Sequence, residues 1–100
     1  MSKRVYILND GGQDYSAAAE FGELVICTEG QLNKYDVASM YRQLTEVLDL
    51  SEPGDYLMVN SLATLGMVAA AIMSALHGEL HLLLFDAKTG KYVSRDLNLD

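Results

Sequence analysis

The chain is poor in cysteine, in basic side chains and in long apolar runs, and each shortage excludes a class of protein. Its one cysteine, Cys27, leaves no partner for an internal disulfide and no second thiol at the spacing of a metal or redox site. A reducing compartment is the simplest fit, so we expect a cytoplasmic protein. The apolar run at residues 5–8 is too brief for the core of a signal peptide.

Basic side chains are outnumbered: seven Lys and Arg against fourteen Asp and Glu give a formal net charge of −7. Such a chain repels a phosphate backbone, so we predict no nucleic-acid partner. The cations near the C-terminus, Lys88, Lys91 and Arg95, form a patch that could meet an acidic partner surface, but a solvated hairpin face is the favoured interpretation. The longest apolar stretch, residues 62–76, is shorter than the roughly 20 residues of a membrane span, so we predict no membrane partner.

What the chain does have is enough apolar material for one core: half of its 100 residues are hydrophobic, and residues 1–100 are expected to form one domain. Apolar runs and turn residues predict strands at residues 5–8, 24–27, 56–59, 80–85 and 91–94. Helices are predicted at residues 17–21, from Lys34 to the turn at residues 51–55, and from the Asn60-Ser61 cap to His77. This order predicts a single three-layer Rossmann-like α/β domain, with a mostly parallel sheet of four to five strands and a C-terminal antiparallel hairpin at its edge.

The loops after the first and third strands form the candidate ligand site. With a spatial strand order of 2-1-3-4-5, the switch point lies between these two strands, and ligands collect at such a point. Gly spacing and the lack of a Lys match neither the dinucleotide fingerprint nor the phosphate-binding loop, so a plain turn competes with a nucleotide-like ligand site. The candidate ligand-binding residues are Asn9, Asp10, Gly11, Gly12, Asp14, Asn60, Ser61 and Thr64.

Metal and catalytic chemistry have weaker support. Asp10, Asp14 and Glu29 carry the hard oxygen ligands that divalent cations prefer, but their spacing matches no known site, and solvated loop acids are the favoured interpretation. The remaining candidates for a nucleophile or an acid–base group are Cys27, His77 and His81. No constellation joins them, so we predict no catalytic residue, no metal and no cofactor.

The third helix departs most from an ordinary domain, because its apolar side chains point in several directions. Small residues, Ala63, Gly66, Ala70 and Ser74, recur along it at steps of three and four. A sheet covers only one side of a helix, so we predict that a partner, most simply a second copy, covers the rest. The alternative is that the second helix and the long loops cover it. The predicted interface residues are Leu62, Leu65, Gly66, Met67, Ala70, Met73 and Ser74.

Short segments spread over nearly the whole chain form a recognisable combination: Val5-Tyr6, Asn9, Gly12, Asp14-Tyr15-Ser16, residues 21–25, Glu29-Gly30, Tyr41-Arg42-Gln43, Asp55-Tyr56, His77-Gly78 and residues 82–85. This combination resembles small proteins encoded by tailed bacteriophages. The resemblance implies a phage source, with the host cytoplasm or the virion as the location. Those proteins have no established activity, so it implies no catalytic residue.

Three functions follow in order of support. The first is a non-enzymatic interaction or assembly protein that forms homo-oligomers; a different protein is a possible partner as well. The alternative is a small-ligand, nucleotide-like binding module at the ends of the first and third strands. A small enzyme that uses Cys27, His77 or Asp10 comes last.

Overall fold

A computed structural model describes residues 3–60 and 62–99 and contains a five-stranded mixed sheet with three helices. The strands are β1 (Arg4–Asp10), β2 (Glu23–Glu29), β3 (Tyr56–Met58), β4 (Glu79–Asp86) and β5 (Lys91–Asn98). The helices are a 3₁₀ helix (Ser16–Phe21), α1 (Val37–Leu48) and α2 (Ala63–His77). The α/β class is therefore confirmed.

The sheet has the predicted strand order, β2-β1-β3-β4-β5. β1 pairs in parallel with β2 and with β3, and β3 pairs in parallel with β4, whereas β4 and β5 are antiparallel. The carboxyl ends of β1 and β3 thus lie side by side. The Asn60 side chain, just after β3, donates a hydrogen bond across this junction to the Asn9 carbonyl (3.2 Å).

The two faces of the sheet support separate apolar clusters. Along β1, Tyr6 and Leu8 point to the side where both α-helices pack, and Val5 and Ile7 point to the other side. The 3₁₀ helix packs against that second side through Ala18. On the helix side α1 contributes three buried side chains at four-residue steps, as an amphipathic helix does: Met40, Leu44 and Leu48.

α1 begins later than predicted, at Val37 rather than near Lys34. Asp36 is the N-cap, because its carboxylate accepts a hydrogen bond from the Ser39 N–H (3.1 Å). Asn33 does not cap this helix. Its side chain instead accepts from the Tyr35 N–H (3.0 Å) and forms a separate turn just before the helix.

β5 is longer than predicted and continues beyond residue 94 to Asn98, where it still pairs with Glu79 of β4. The polar residues of its second half suggested an early end, but an edge strand tolerates charge and the whole length of β4 is available for pairing. The predicted hairpin loop is confirmed. Gly90 has a positive φ of 71° and donates its N–H to the Asp86 carbonyl (2.8 Å).

α2 ends as predicted, with His77 followed by Gly78 in the left-handed conformation (φ 69°). Its beginning differs: the helix starts at Ala63 with Leu62 as N-cap, and Asn60 is engaged with β1 instead of capping it. Ser61, the other half of the predicted cap, lies outside the described residues. Across residues 3–60 and 62–99, no helix has both the length and the apolar character needed to cross a membrane.

Candidate functional site

The crevice between the ends of β1 and β3 is filled by the chain itself. Tyr15, which precedes the 3₁₀ helix, is buried there. Its hydroxyl accepts from the Gly11 N–H (3.0 Å) and from the Asn60 amide (3.4 Å), and donates to the Asn9 carbonyl (3.4 Å). The place where a doubly wound sheet holds a ligand is therefore occupied by a phenol ring.

Asn9, predicted in the ligand site, is committed to the neighbouring strand. Its amide nitrogen donates to the Gly30 carbonyl (3.2 Å), and its amide oxygen accepts from the Thr28 hydroxyl (2.9 Å). Thr28 is buried and also contacts the Leu8 carbonyl (2.6 Å). Asn9 thus ties β1 to β2.

Two acidic residues, one at the end of β1 and one in the loop after it, stabilise tight turns. One Asp10 carboxylate oxygen accepts from the Gly12 N–H, and one Asp14 oxygen accepts from the Ser16 N–H, both at 2.9 Å. Hydrogen bonds from the Ser16 backbone and side chain lower the pKa of Asp14. Gly12, with a φ of 80°, provides the conformation that the turn requires. Two exposed carboxylates here repel a phosphate group.

The hypothesis of a divalent cation site gains nothing from the geometry. Asp10 and Glu29 are register partners on β1 and β2, while Asp14 belongs to the turn before the 3₁₀ helix. In the part of the chain that the structure describes, no three His, Cys, Asp or Glu side chains are grouped closely enough to bind a metal.

A shallow cavity of about 330 Å³ lies beside Tyr15 on the 3₁₀ side of the sheet, and we name it the aromatic cavity. Its described lining residues are Gln13, Asp14, Val59, Asn60, Phe85 and Tyr92. Asp14 and Asn60 were predicted in a ligand site, and both are here. Thr64, Gly11 and Gly12 do not line it.

Sequence reasoning missed the aromatic pair of this cavity. Phe85 and Tyr92 are direct partners across the β4–β5 hairpin, with ring centroids 5.3 Å apart in an edge-to-face arrangement. Each residue by itself is typical of a buried strand position. The signal that was available is the hairpin register, because a four-residue loop (residues 87–90) between the paired Asp86 and Lys91 places Tyr92 opposite Phe85.

A second cavity of about 360 Å³ lies on the helix side of the sheet, between α2 and strands β1, β3 and β4; we name it the apolar groove. Its described lining residues are Leu8, Leu57, Val59, Asn60, Leu62, Ala63, Gly66, Met67, Ala70, Leu80 and Leu82. Four predicted interface residues are among them, and Met67 is the most exposed of these. A Cβ atom added at Gly66 meets no described atom within 4 Å, so space in the molecule does not require glycine there.

The other predicted interface residues have internal roles. Leu65 and Met73 are wrong as surface contacts, because both are buried in the core cluster that α2 forms with α1 and the sheet. The repeated apolar pattern of α2 does not reveal which side meets α1. Ser74 is half-buried and donates its hydroxyl to the Ala71 carbonyl of its own helix (3.1 Å).

Two of the three candidate reactive groups are held in unreactive settings. Burial raises the pKa of Cys27 to about 12, so the nucleophilic thiolate is not available near neutral pH. The His77 imidazole lies 2.8 Å from the Ser51 hydroxyl, which is itself 2.6 Å from the Leu48 carbonyl. Ser51 therefore links the ends of α1 and α2, and its single proton is engaged by a backbone oxygen.

His81 lies between two carboxylates on the 3₁₀ side of the sheet. Its Nδ1 is 2.8 Å from Asp96 and its Nε2 is 3.1 Å from Glu79, and its ring meets Tyr56 edge to face. Burial lowers the pKa of His81, but the hydrogen bonds and charges of Asp96 and Glu79 outweigh burial and raise it overall. His81 thus joins β4 to β5 through the contact of its Nδ1 with Asp96.

These features describe a small mixed α/β protein with an apolar groove and an aromatic cavity at the carboxyl end of its parallel strands. The family described as Phage Pam3 gp32-like protein matches residues 3–99, and the chain belongs to this family. The predicted resemblance to phage proteins is thereby confirmed. No curated protein and no solved structure matches the chain.

Proposed function

We propose that this phage-family protein is a non-enzymatic assembly protein that pairs with a second copy of itself. The contact is made by a surface that we name the helix–hairpin face. It comprises Leu62, Gly66, Met67 and Ala70 of the α2 region with Leu80, Leu82, Leu84 and Leu97 of the hairpin. The observation that carries the proposal is the exposure of large apolar side chains on both sides of the apolar groove, 71% for Met67 and 51% for Leu97.

The hairpin register supports one continuous face. Leu80 and Leu82 pack against the helix-side core, so their side of β4 faces the α-helices. Leu97 is the direct partner of Leu80, and directly paired residues of an antiparallel ladder share a face. The apolar surface therefore extends from α2 across the groove to the edge strand.

Charge favours this face for contact between two copies. A formal net charge of −7 makes two chains repel each other wherever their acidic surfaces meet. The described residues that line the apolar groove carry no charged side chain. The hairpin adds a cation to the helix side, Arg95, which is paired with Leu82. Two copies approach with the least repulsion through such a surface.

The shape of the face suits a two-fold pair. Met67 projects from α2 at the rim of the groove, and Gly66 leaves the groove open beside it. A protrusion and a recess on one surface are self-complementary, because a two-fold axis places each Met67 in the partner's groove. Removing one methionine side chain from water contributes roughly 1.5–3 kcal/mol, and symmetry doubles this contribution.

We also class the domain as a three-layer Rossmann-like arrangement. Support comes from the two apolar clusters, one shared by the sheet with α1 and α2 and the other shared with the 3₁₀ helix. The antiparallel β5 extends this arrangement at one edge. The helix–hairpin face lies where the α-helical layer stops short of that edge.

Sedimentation velocity over a micromolar concentration series tests the assembly proposal. We expect a dimer for the natural chain and a monomer for Met67→Glu and Leu97→Glu, since each places a charge in the contact. Leu50→Glu is the matched control: Leu50 is a similarly exposed leucine outside the helix–hairpin face, and this variant should remain dimeric. Circular dichroism checks that all variants are folded. A monomeric natural chain would overturn the proposal.

A further inference from the structure

We propose that the aromatic cavity binds a small organic cation, an ammonium or guanidinium group carried on a short carbon chain. This site lies on the 3₁₀ side of the sheet and is separate from the proposed contact between copies. Its volume of about 330 Å³ is within the range of small-ligand sites. It opens at the carboxyl end of β3, next to the β1–β3 crevice that Tyr15 fills.

The aromatic wall is the first argument. Phe85 is 56% exposed although it is a large apolar side chain, and Tyr92 supports it from the next strand. An aromatic face open to solvent attracts a cation through the negative charge of its π-system. The two rings are held on paired strands, so the wall is formed before a ligand arrives.

The charge of the lining is the second argument. Asp14 is the charged side chain among the described residues of this cavity, and the Ser16 N–H at 2.9 Å fixes one of its oxygens. Ser16 hydrogen bonds also lower the pKa of Asp14, so this carboxylate stays ionised at neutral pH. The pKa of Tyr92 is raised, first by burial and then by the charges of Tyr15 and Asp14. The carboxylate and the aromatic wall therefore act on the same space.

The same charges select against the nucleotide-like ligand that the strand order alone suggests. A phosphate at this edge meets the carboxylates of Asp14 and, on the same loop, Asp10. The net charge of −7 adds long-range repulsion for anions and attraction for cations. The amide oxygen of Gln13 adds an acceptor to this lining, which suits a group with several N–H donors.

Titration of the natural chain with agmatine, followed by amide NMR shifts and calorimetry, tests the site. We expect saturable shifts at Gln13, Asp14 and Tyr92, and no saturable shifts there with AMP. Asp14→Asn keeps the oxygen that accepts from Ser16 but removes the charge, so affinity should fall at least about tenfold. Tyr92→Leu should weaken binding about fivefold through loss of the π-face.

Asp10→Asn is the matched control, because it removes an exposed carboxylate of the same loop that does not line the cavity. It should change agmatine affinity less than about twofold at moderate salt, where distant charges are screened. Equal losses for Asp10→Asn and Asp14→Asn would show only general attraction to an acidic surface and would overturn the proposal. Absence of saturable shifts with agmatine, or binding of AMP in its place, would overturn it as well. Sedimentation velocity on the same samples measures the oligomeric state, so the assembly proposal is tested separately from agmatine binding.

Discussion

The two sides of the β-sheet are covered differently by the same short chain. On the helix side, α1 and α2 bury the centre of the sheet but leave apolar surface beside β4 and β5. On the other side, the 3₁₀ helix covers less, and the hairpin carries an aromatic pair and the charged cluster around His81. The solvent-exposed surface that remains is thus mainly apolar on the helix side and polar or aromatic on the 3₁₀ side. This difference is the basis on which we propose protein contact for the first side and a small charged ligand for the second.

The contrast between the inner and outer sides of α2 gives the largest expected effect. Leu65→Ala removes a fully buried side chain and should lower the free energy of unfolding by about 2–5 kcal/mol. Met67→Ala, two residues away and mostly exposed, should change it by less than about 0.5 kcal/mol. Urea unfolding at low protein concentration measures both, since dilution removes any contribution from association. Similar losses for the two variants would mean that Met67 is packed within one chain.

Gly66→Leu sharpens the role of the apolar groove. Glycine inside a helix costs about 1 kcal/mol relative to a good helix former, and the space above Gly66 is open to a side chain. We therefore expect the single chain to gain about 1 kcal/mol of stability while dimerisation weakens at least about tenfold, because leucine fills the recess. Denaturant unfolding and sedimentation separate the two effects. A variant that is less stable and still dimeric would contradict this use of the groove.

A smaller, pH-dependent effect is expected on the other side of the sheet, at His81. Its folded pKa is raised, so its ion pairs with Asp96 and Glu79 contribute stability that is fully present below the unfolded pKa of about 6.5 and is lost as pH rises through the folded value. His81→Gln should therefore cost about 1 kcal/mol more near pH 6 than near pH 9. Thermal unfolding at the two pH values gives the comparison, and a cost that grows with pH would refute it.

Local chemistry made part of this fold predictable. Gly78 and Gly90 stand where the backbone needs a positive φ, so the end of α2 and the hairpin loop followed from the sequence. The alternation of strands and helices indicated a doubly wound sheet, and the strand order was taken from the common order of such sheets. The length of β5 did not follow, because an edge strand is held mainly by its neighbour and its own residues are partly charged.

The candidate sites were harder to predict because they depend on contacts between distant segments. Nothing near Tyr15 in sequence indicates that its hydroxyl meets Asn60, which is 45 positions away. α2 is apolar around most of its circumference, so periodicity gave no way to separate Leu65, which is buried, from Met67, which is exposed. The packing of α2 against α1 and the sheet decides between them.

Val59 and Asn60, the two residues after β3, line both the apolar groove and the aromatic cavity. Among the described residues, these two form the wall that the recesses share, so a shift of this short segment changes the shape of both. Thermodynamic linkage then requires reciprocity. If a molecule bound in one recess changes the affinity of the other recess for its own ligand by some factor, that second ligand changes the affinity of the first recess by the same factor.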